Sequence, residues 1–294
     1  MGEPVRQGTL GLFLIAPALA LLAAVLAWPM LSAIVMSFQD VRVVGSDGPF
    51  IGLANYEKVL ADPAFWRAAK LSLVWVVANA VVQTALALAA ALILNQRFRG
   101  VQIARTWIIL SWIVPTVVVV MIWRWLFSTS GGVVNPALMG LGLTERPVGF
   151  FATPWTAFAT LVFINSWRWF PFITLMMLAG LTRIPSDLLE AARVDGAGPW
   201  KRFTRIIWPL LAPTMTVLLV IGTLLSFNVF DVIWLLTSGG PAGATRTLPV
   251  LIYETAFRGY RISEAATIAV LATVLLMAFA VFATRKLALS GDER

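Results

Sequence analysis

The 294-residue chain has no cysteine, no histidine, only three tyrosines and few charges, with Asp, Glu, Lys and Arg together making up 12%. Each shortage closes off a class of chemistry. Without Cys there is no disulfide scaffold and no thiolate metal site. Without His there is no histidine-ligated metal, no HExxH site and no His-based triad. An ordinary soluble domain carries about twice this charged fraction. So few charges cannot cover a chain that is 60% hydrophobic, and a mean hydropathy of +0.87 points to a bilayer. The net charge of +8 fits basic loops beside anionic lipid. No basic stripe with interleaved aromatics marks a nucleic-acid surface, so nucleic acid is not an expected partner.

A hydrocarbon core of about 30 Å needs about 20 apolar residues of helix. Apolar runs of that length predict an all-α integral membrane protein with six transmembrane helices, at about 10–38, 71–96, 106–127, 154–181, 209–236 and 265–284, within one domain covering 1–294. Ala18-Leu19-Ala20 resembles a signal-peptide cleavage site, but the apolar run continues through Trp28 and Met36, which favours an uncleaved helix. Six spans put both termini on one side. With that side inside, the inner segments hold twelve of the 22 basic residues and six of the 14 acidic ones, a modest positive-inside bias. The outer segments are turn-rich, with Gly45-Ser46-Asp47-Gly48-Pro49, Asp62-Pro63, Ser130-Gly131-Gly132 and Ser238-Gly239-Gly240-Pro241.

The inner loop 182–208 stands apart, holding eight of the 36 charged residues. Pro185-Ser186-Asp187 predicts a helix start, with Ser186 as cap and Asp187 at the positive dipole end. Gly196 and Gly198 interrupt that helix, Pro199 restarts a second, and Pro209 predicts a bend into the fifth span. Glu190-Ala191-Ala192, then Gly196, Ile206, Trp208 and Pro209 at their spacings, resemble the EAA signature of ABC importer permeases. Trp208 stands where that family usually has Leu. The run Glu190 to Ala197 is similar to the carbohydrate-uptake, maltose-type branch, as are Ser226 to Asp231 and Thr237 to Pro241. A capped amphipathic helix resting on lipid headgroups is the plainer reading of the same loop.

That resemblance implies the type I importer permease fold in a bacterial inner membrane, multi-pass, with both termini cytoplasmic. It implies a second homologous permease subunit, two ABC ATPase subunits and an extracytoplasmic substrate-binding protein as partners. Glu190, Ala191, Ala192, Asp195, Gly196 and Ala197 would couple to the ATPase. The small residues allow close approach, the two carboxylates meet basic groups, and Gly196 makes a turn that a side chain would obstruct. The chain has no GxxxxGK[ST] loop. It therefore carries no cofactor of its own, and ATP and Mg²⁺ are expected on the partner ATPase.

Arg168 and Asp231 are the charges deepest in apolar sequence, and such charges face protein or a water-filled cavity. At about 1.5 Å per residue they lie roughly 20 and 33 Å from the inner end, an offset of about 12 Å that disfavours a direct pair. Both fit either a substrate path or a structural ion pair. Asn165, Trp167, Trp169 and Asn228 flank them, and amides with aromatic faces suit a carbohydrate, although Trp also collects at membrane interfaces. Asn79 and Gln83, four apart, share a helix face and suit interhelical hydrogen bonds. The expected function is the pore subunit of an ATP-driven importer of a sugar, oligosaccharide or polyol, itself not an enzyme. The alternatives are a permease for glycerol phosphate or another small polar solute, an ion-coupled secondary transporter, and a polytopic membrane enzyme.

Overall fold

A computed structural model describes residues 5–43, 45, 46, 48–96 and 98–291, with side chains described between 14 and 281. Asp47, Arg97 and Arg294, counted among the loop residues above, lie outside the described residues, as do the side chains of Arg6, Arg285 and Lys286. Among the described residues every regular element is a helix, with no strand beyond an isolated Gln39–Phe50 bridge. The helices are α1 (Val5–Leu22), α2 (Trp28–Ser37), α3 (Ala54–Ala61), α4 (Pro63–Leu94), α5 (Val101–Ile113), α6 (Thr116–Leu126) and α7 (Val134–Gly140). They continue with α8 (Pro154–Leu181), α9 (Ser186–Val194), α10 (Pro199–Arg202), α11 (Trp208–Phe227), α12 (Asp231–Thr237), α13 (Leu248–Tyr253) and α14 (Ile262–Gly291).

Five helical stretches are long and apolar enough to cross a membrane: Leu14–Ser37, Pro63–Leu94, Pro154–Leu181, Pro199–Phe227 and Ile262–Val281. The third expected span, 106–127, is not one straight helix. It is the pair α5 and α6, bent by 99° at Val114-Pro115. Proline lacks the N–H that would continue the ladder, and it pushes the residue before it out of helical geometry. Val114 accordingly has ψ 128°.

The fifth span also departs from expectation at both ends. Pro209 does not interrupt the helix. Here α10 runs into α11 through a π turn at Phe203–Ile207, closed by Trp208 N–H donating to the Phe203 carbonyl. Widening the ladder by one residue makes room for the proline ring, which would otherwise meet a carbonyl one turn back. The pair Trp28-Pro29 follows the π turn Ala23–Ala27 in the same way. At the other end α11 stops at Phe227, and 231–236 belongs to the separate helix α12. Asn228 Nδ2 donates to the Leu224 carbonyl at 2.8 Å, a local bond that closes the helix.

The chain divides into two compact units, where one domain is expected from sequence: Met1–Trp66 with Leu251–Leu275, and Arg67–Val250 with Leu276–Arg294. The first is held by polar contacts around the end of α2. Asn55 Nδ2 donates to the carbonyls of Ser37 (3.0 Å) and Gln39 (2.9 Å), and Thr267 Oγ1 reaches the Ser37 carbonyl at 3.3 Å. Ser263 Oγ accepts from Val41 N–H at 2.7 Å. Lys58 and Arg261 both pair with Glu264.

The second unit is built on α8, which has over half of its most apolar window buried, against none for Leu14–Ser37. Its N-terminus is fixed by a capping box between Thr153 and Thr156, with Pro154 at the first helical position. Ala87 and Ala91 of α4 are fully buried against Ile173, Met177 and Leu181 of α8 and Leu211 and Met215 of α11. Gly180 sets the distance between α8 and α11, because a Cβ there would lie 2.8 Å from Leu211 Cδ1 and 3.0 Å from Thr214 Oγ1. Lipid tails are as apolar as leucine, so close van der Waals packing through small residues, together with interhelical hydrogen bonds, holds such helices together.

Asn79 joins α4 to α8 through Asn165, while its bonds to Gln83 and Trp75 stay within α4. Its Oδ1 accepts from Asn165 Nδ2 (2.7 Å) and Gln83 Nε2 (3.2 Å), and its Nδ2 donates to the Trp75 carbonyl at 2.9 Å. Trp75 Nε1 donates to the Ser226 carbonyl (3.0 Å), and Ser72 Oγ accepts from Leu248 N–H (2.8 Å). An Asn79→Leu change leaves two buried amides without their acceptor. Interhelical hydrogen bonds in membranes are worth about 0.6 kcal/mol on average and at most about 1.7. The expected loss is therefore about 1–2 kcal/mol, read as a lower unfolding midpoint of the purified chain in detergent. An unchanged midpoint contradicts the assignment of Asn79 as the hub.

Candidate functional site

Two places in the second unit concentrate polar groups. The first is the segment from α9 to α10. Helix α9 is preceded by Pro185, and its first turn has no side-chain cap. Ser186 is already helical and its hydroxyl donates instead to Asp187 Oδ1 at 3.2 Å. The far end is a Schellman turn. Ala197 N–H donates to the Ala192 carbonyl at 2.8 Å and Gly196 N–H to the Arg193 carbonyl at 3.0 Å, with Gly196 at φ +76°. Nothing lies within 4 Å of a Cβ built on Gly196. The glycine is thus required by its left-handed backbone, not by a neighbour that a side chain would strike.

No residue of α9 is buried. Glu190, Ala191, Asp195 and Gly196 are exposed, and Ala192 and Ala197 are half-buried. Neither Glu190 nor Asp195 has an ion-pair partner among the described residues. Two exposed side chains escape a reading by motif, Val194 at 89% and Trp200 at 75%. They stand on α9 and α10, on either side of the Gly196 turn, and large apolar side chains exposed beside charged ones suit a contact surface. Their exposure depends on how the Gly196 turn orients two helices, and residue type alone carries no sign of it.

The second place is the middle of α8 and the start of α12. Arg168 Nη1 lies 3.6 Å from Asp231 Oδ2, although a 12 Å offset is expected if the fifth span runs on through Asp231. The break after Phe227 removes that offset, because Asp231 opens a new helix whose direction α11 does not set. Asp231 Oδ1 also accepts from Val232 N–H at 2.9 Å, and a carboxylate suits that first turn. The pair is long and partly open, with side-chain exposures of 19% for Arg168 and 43% for Asp231. Arg168 makes no hydrogen bond among the described residues, and its guanidinium lies 5.4 Å from the Trp169 ring centroid. A guanidinium carries five N–H donors, so this one retains capacity for a polar ligand.

The remaining path residues do not join this pair as a set. Asn165 is fully buried and bound to Asn79, with its own Oδ1 unpartnered. Trp167 packs edge-on against Trp123, ring centroids 5.4 Å apart. Asn228 is exposed and spent on its own helix. Trp169 alone stays beside Arg168, with its Nε1 buried and unpartnered. It also lines a narrow crevice with Gln83, Phe172, Gly222 and Ser226, a space that holds about one water. What the structure brings together is Arg168, Trp169 and Asp231, a cation, an indole face and a carboxylate. Such a group has the chemistry to bind and orient a polar ligand, and it holds no nucleophile beside a base.

Comparison with known proteins gives this geometry a context. The trehalose/maltose transport system permease protein MalF of Thermococcus litoralis is 35% identical over 280 residues, covering 94% of this chain and 92% of that protein. A crystal structure of a bacterial ABC transporter involved in the import of the acidic polysaccharide alginate is similar over 97% of this chain and 96% of its own, at 25% identity and a TM-score of 0.84. A second structure of the alginate transporter, in complex with alginate pentasaccharide-bound periplasmic protein, is similar over 95% of this chain and 94% of its own, with the same identity and a TM-score of 0.82. The family model for binding-protein-dependent transport system inner membrane components matches residues 83–288, which include α8, the α9 turn and the Arg168–Asp231 pair. The chain belongs to that family and has the fold of its type I ABC importer permeases.

Proposed function

We propose that this chain is one membrane-spanning subunit of an ATP-driven importer for a sugar, oligosaccharide or polyol. The observation that carries the proposal is the exposed α9 surface with its unpaired Glu190 and Asp195 and its left-handed Gly196 turn. In this reading α9 lies at the cytoplasmic face and seats on one of two ABC ATPase subunits, which hold ATP and Mg²⁺. A second homologous permease completes the path, and an extracytoplasmic binding protein delivers the substrate. Both termini are then cytoplasmic.

The carbohydrate part of the reading is supported by the relatives named for trehalose/maltose and alginate. The pair itself adds a physical argument. Asp231 offsets the charge of Arg168, so the site presents donors and acceptors without a net field. That suits a neutral polyhydroxyl better than glycerol phosphate. The Trp169 face adjoins the pair and offers apolar cover for a sugar ring. ATP-driven movement of α9 would shift the path between inward-open and outward-open, and no bond chemistry occurs in this chain.

Two predictions test the two halves separately. Replacing Glu190 by Arg or Gly196 by Trp should abolish copurification with the ATPase while leaving the chain inserted. The milder Gly196→Ala carries a left-handed penalty of about 1 kcal/mol, so ATPase retention should fall about fivefold. Full ATPase binding and ATP-linked uptake in both the Arg and Trp variants would sink the coupling role. Arg168→Ala should lower uptake about tenfold or more, the loss expected for a charged hydrogen bond, in a complex that still assembles. Loss of the complex instead makes Arg168 structural.

A further inference from the structure

The α4–α5 connection forms a recess that the transport reading leaves without a role. It is an open space of about 510 Å³ lined by Asn95, Gln96, Phe98, Arg99, Gln102 and Arg105. Every charged residue in that lining is basic, and no Asp or Glu occurs anywhere between Asp62 and Glu145. Three features converge on it. Arg99 is exposed at the rim. Gly100, at φ +89°, precedes α5 and gives its first turn no side-chain cap; Val101 N–H donates to the Phe98 carbonyl at 3.3 Å, and the N–H groups that follow face the positive end of the helix dipole. Arg105 donates from Nη2 to the Leu94 carbonyl at 2.8 Å, which fixes the guanidinium beside the recess and leaves its Nε buried without a partner.

The surroundings are apolar. Ile93, Phe98, Ile103 and Trp107 are all exposed large side chains next to this cluster. A basic recess edged by such residues, at the end of an apolar span, has the two-part chemistry of a phospholipid. Basic pockets between spans on the cytoplasmic side bind anionic head groups. A positive-inside bias alone asks only for Lys or Arg in the loop. It does not explain the Arg105 guanidinium fixed on the Leu94 carbonyl beside the recess.

We infer that this recess is a binding site for the phosphate head group of an anionic phospholipid, seated on Arg99 and the first turn of α5 with Arg105 behind it. The lipid's acyl chains lie along Phe98, Ile103 and Trp107. The placement at the cytoplasmic leaflet rests on the orientation proposed above, whereas the affinity for the head group does not.

The test uses the assembled transporter in phosphatidylcholine nanodiscs containing a minority of phosphatidylglycerol, with retained lipid counted by native mass spectrometry. Phosphatidylglycerol should be retained in preference to phosphatidylcholine. Arg99→Gln should weaken that retention about fivefold, the effect of one basic residue near an anionic surface, and Arg99→Glu should weaken it further. Arg105→Lys, which keeps the charge but not the fixed guanidinium, should give an intermediate loss. Equal retention of the two lipids, or retention indifferent to Arg99→Glu, overturns the inference. Displacement of the lipid by inorganic phosphate at matched concentration also overturns it, because the site then takes a free anion. Orientation is read apart from this. The chain has no cysteine, so Gln96→Cys gives a single thiol. A membrane-impermeant maleimide added to intact cells should not label it. Labelling from outside defeats the proposed orientation and leaves the nanodisc result standing.

Discussion

The close approach of α4, α8 and α11 is the constraint on which the rest of the second unit depends. It requires small side chains where the helices cross, and Ala87, Ala91 and Gly180 supply them. It also requires that any polar group enclosed by the contact find a partner inside the chain, since lipid offers none. Asn79 meets that demand for Asn165 and Gln83 together. Packing and polar satisfaction therefore reinforce each other: the small residues bring the helices near enough for the amides to meet, and the amides fix the helices' rotation. Rotation matters because it decides which side of α8 carries Arg168.

Helix breaks matter as much as helices. Of the prolines at Pro115, Pro171 and Pro213, all inside apolar stretches, only the first divides a helix. Around Pro171, Thr174 Oγ1 bonds the Phe170 carbonyl at 2.7 Å, and around Pro213 Thr216 Oγ1 bonds the Ala212 carbonyl at 2.7 Å. Both are bonds from a hydroxyl to the carbonyl four residues back, and the carbonyls that the two prolines leave without an N–H are those of Trp167 and Pro209. At Val114-Pro115 the helix does divide, and Val114 takes up extended geometry.

This explains how far the chain can be read without coordinates. Membrane residence, an all-helical fold and membership of the importer permeases follow from composition and from the spaced residues around Glu190 and Gly196. These are properties of residue type and spacing. The fate of Pro115, the end of the fifth span at Asn228 and the facing of α8 are not, because each depends on which neighbour satisfies a backbone or side-chain polar group. Asn165, Trp167, Arg168 and Trp169 illustrate the point. They are nearly contiguous, but at about 100° per residue a helix aims them differently. Asn165 turns to Asn79, Trp167 to Trp123, and Arg168 reaches Asp231 with Trp169 beside its guanidinium. The Arg168–Asp231 pair was hidden for the same reason, since counting rise per residue presumes an unbroken helix.

The geometry also bears on how a partner at α9 could act on a site so far away. The helix from Pro199 to Phe227 is continuous, 29 residues long and so about 43 Å from end to end. It begins one residue after the Gly196–Gly198 turn and ends at the break that releases Asp231. A helix that long behaves as a rod, and tilting it moves its two ends in a fixed ratio. Its side is held against α8 at Gly180, where there is no room for a further carbon atom. In the proposed reading that tight contact would serve as a fulcrum, so that a push at the α9 end would tilt the helix about it and move Asn228. Asp231 is joined to the rod by only three residues, and its bond to Arg168 is long and half-open to solvent. A weak pair at the end of a stiff lever is well suited to be made and broken by modest forces. A short, buried ion pair in the same place would resist the motion, because separating desolvated charges costs several kcal/mol.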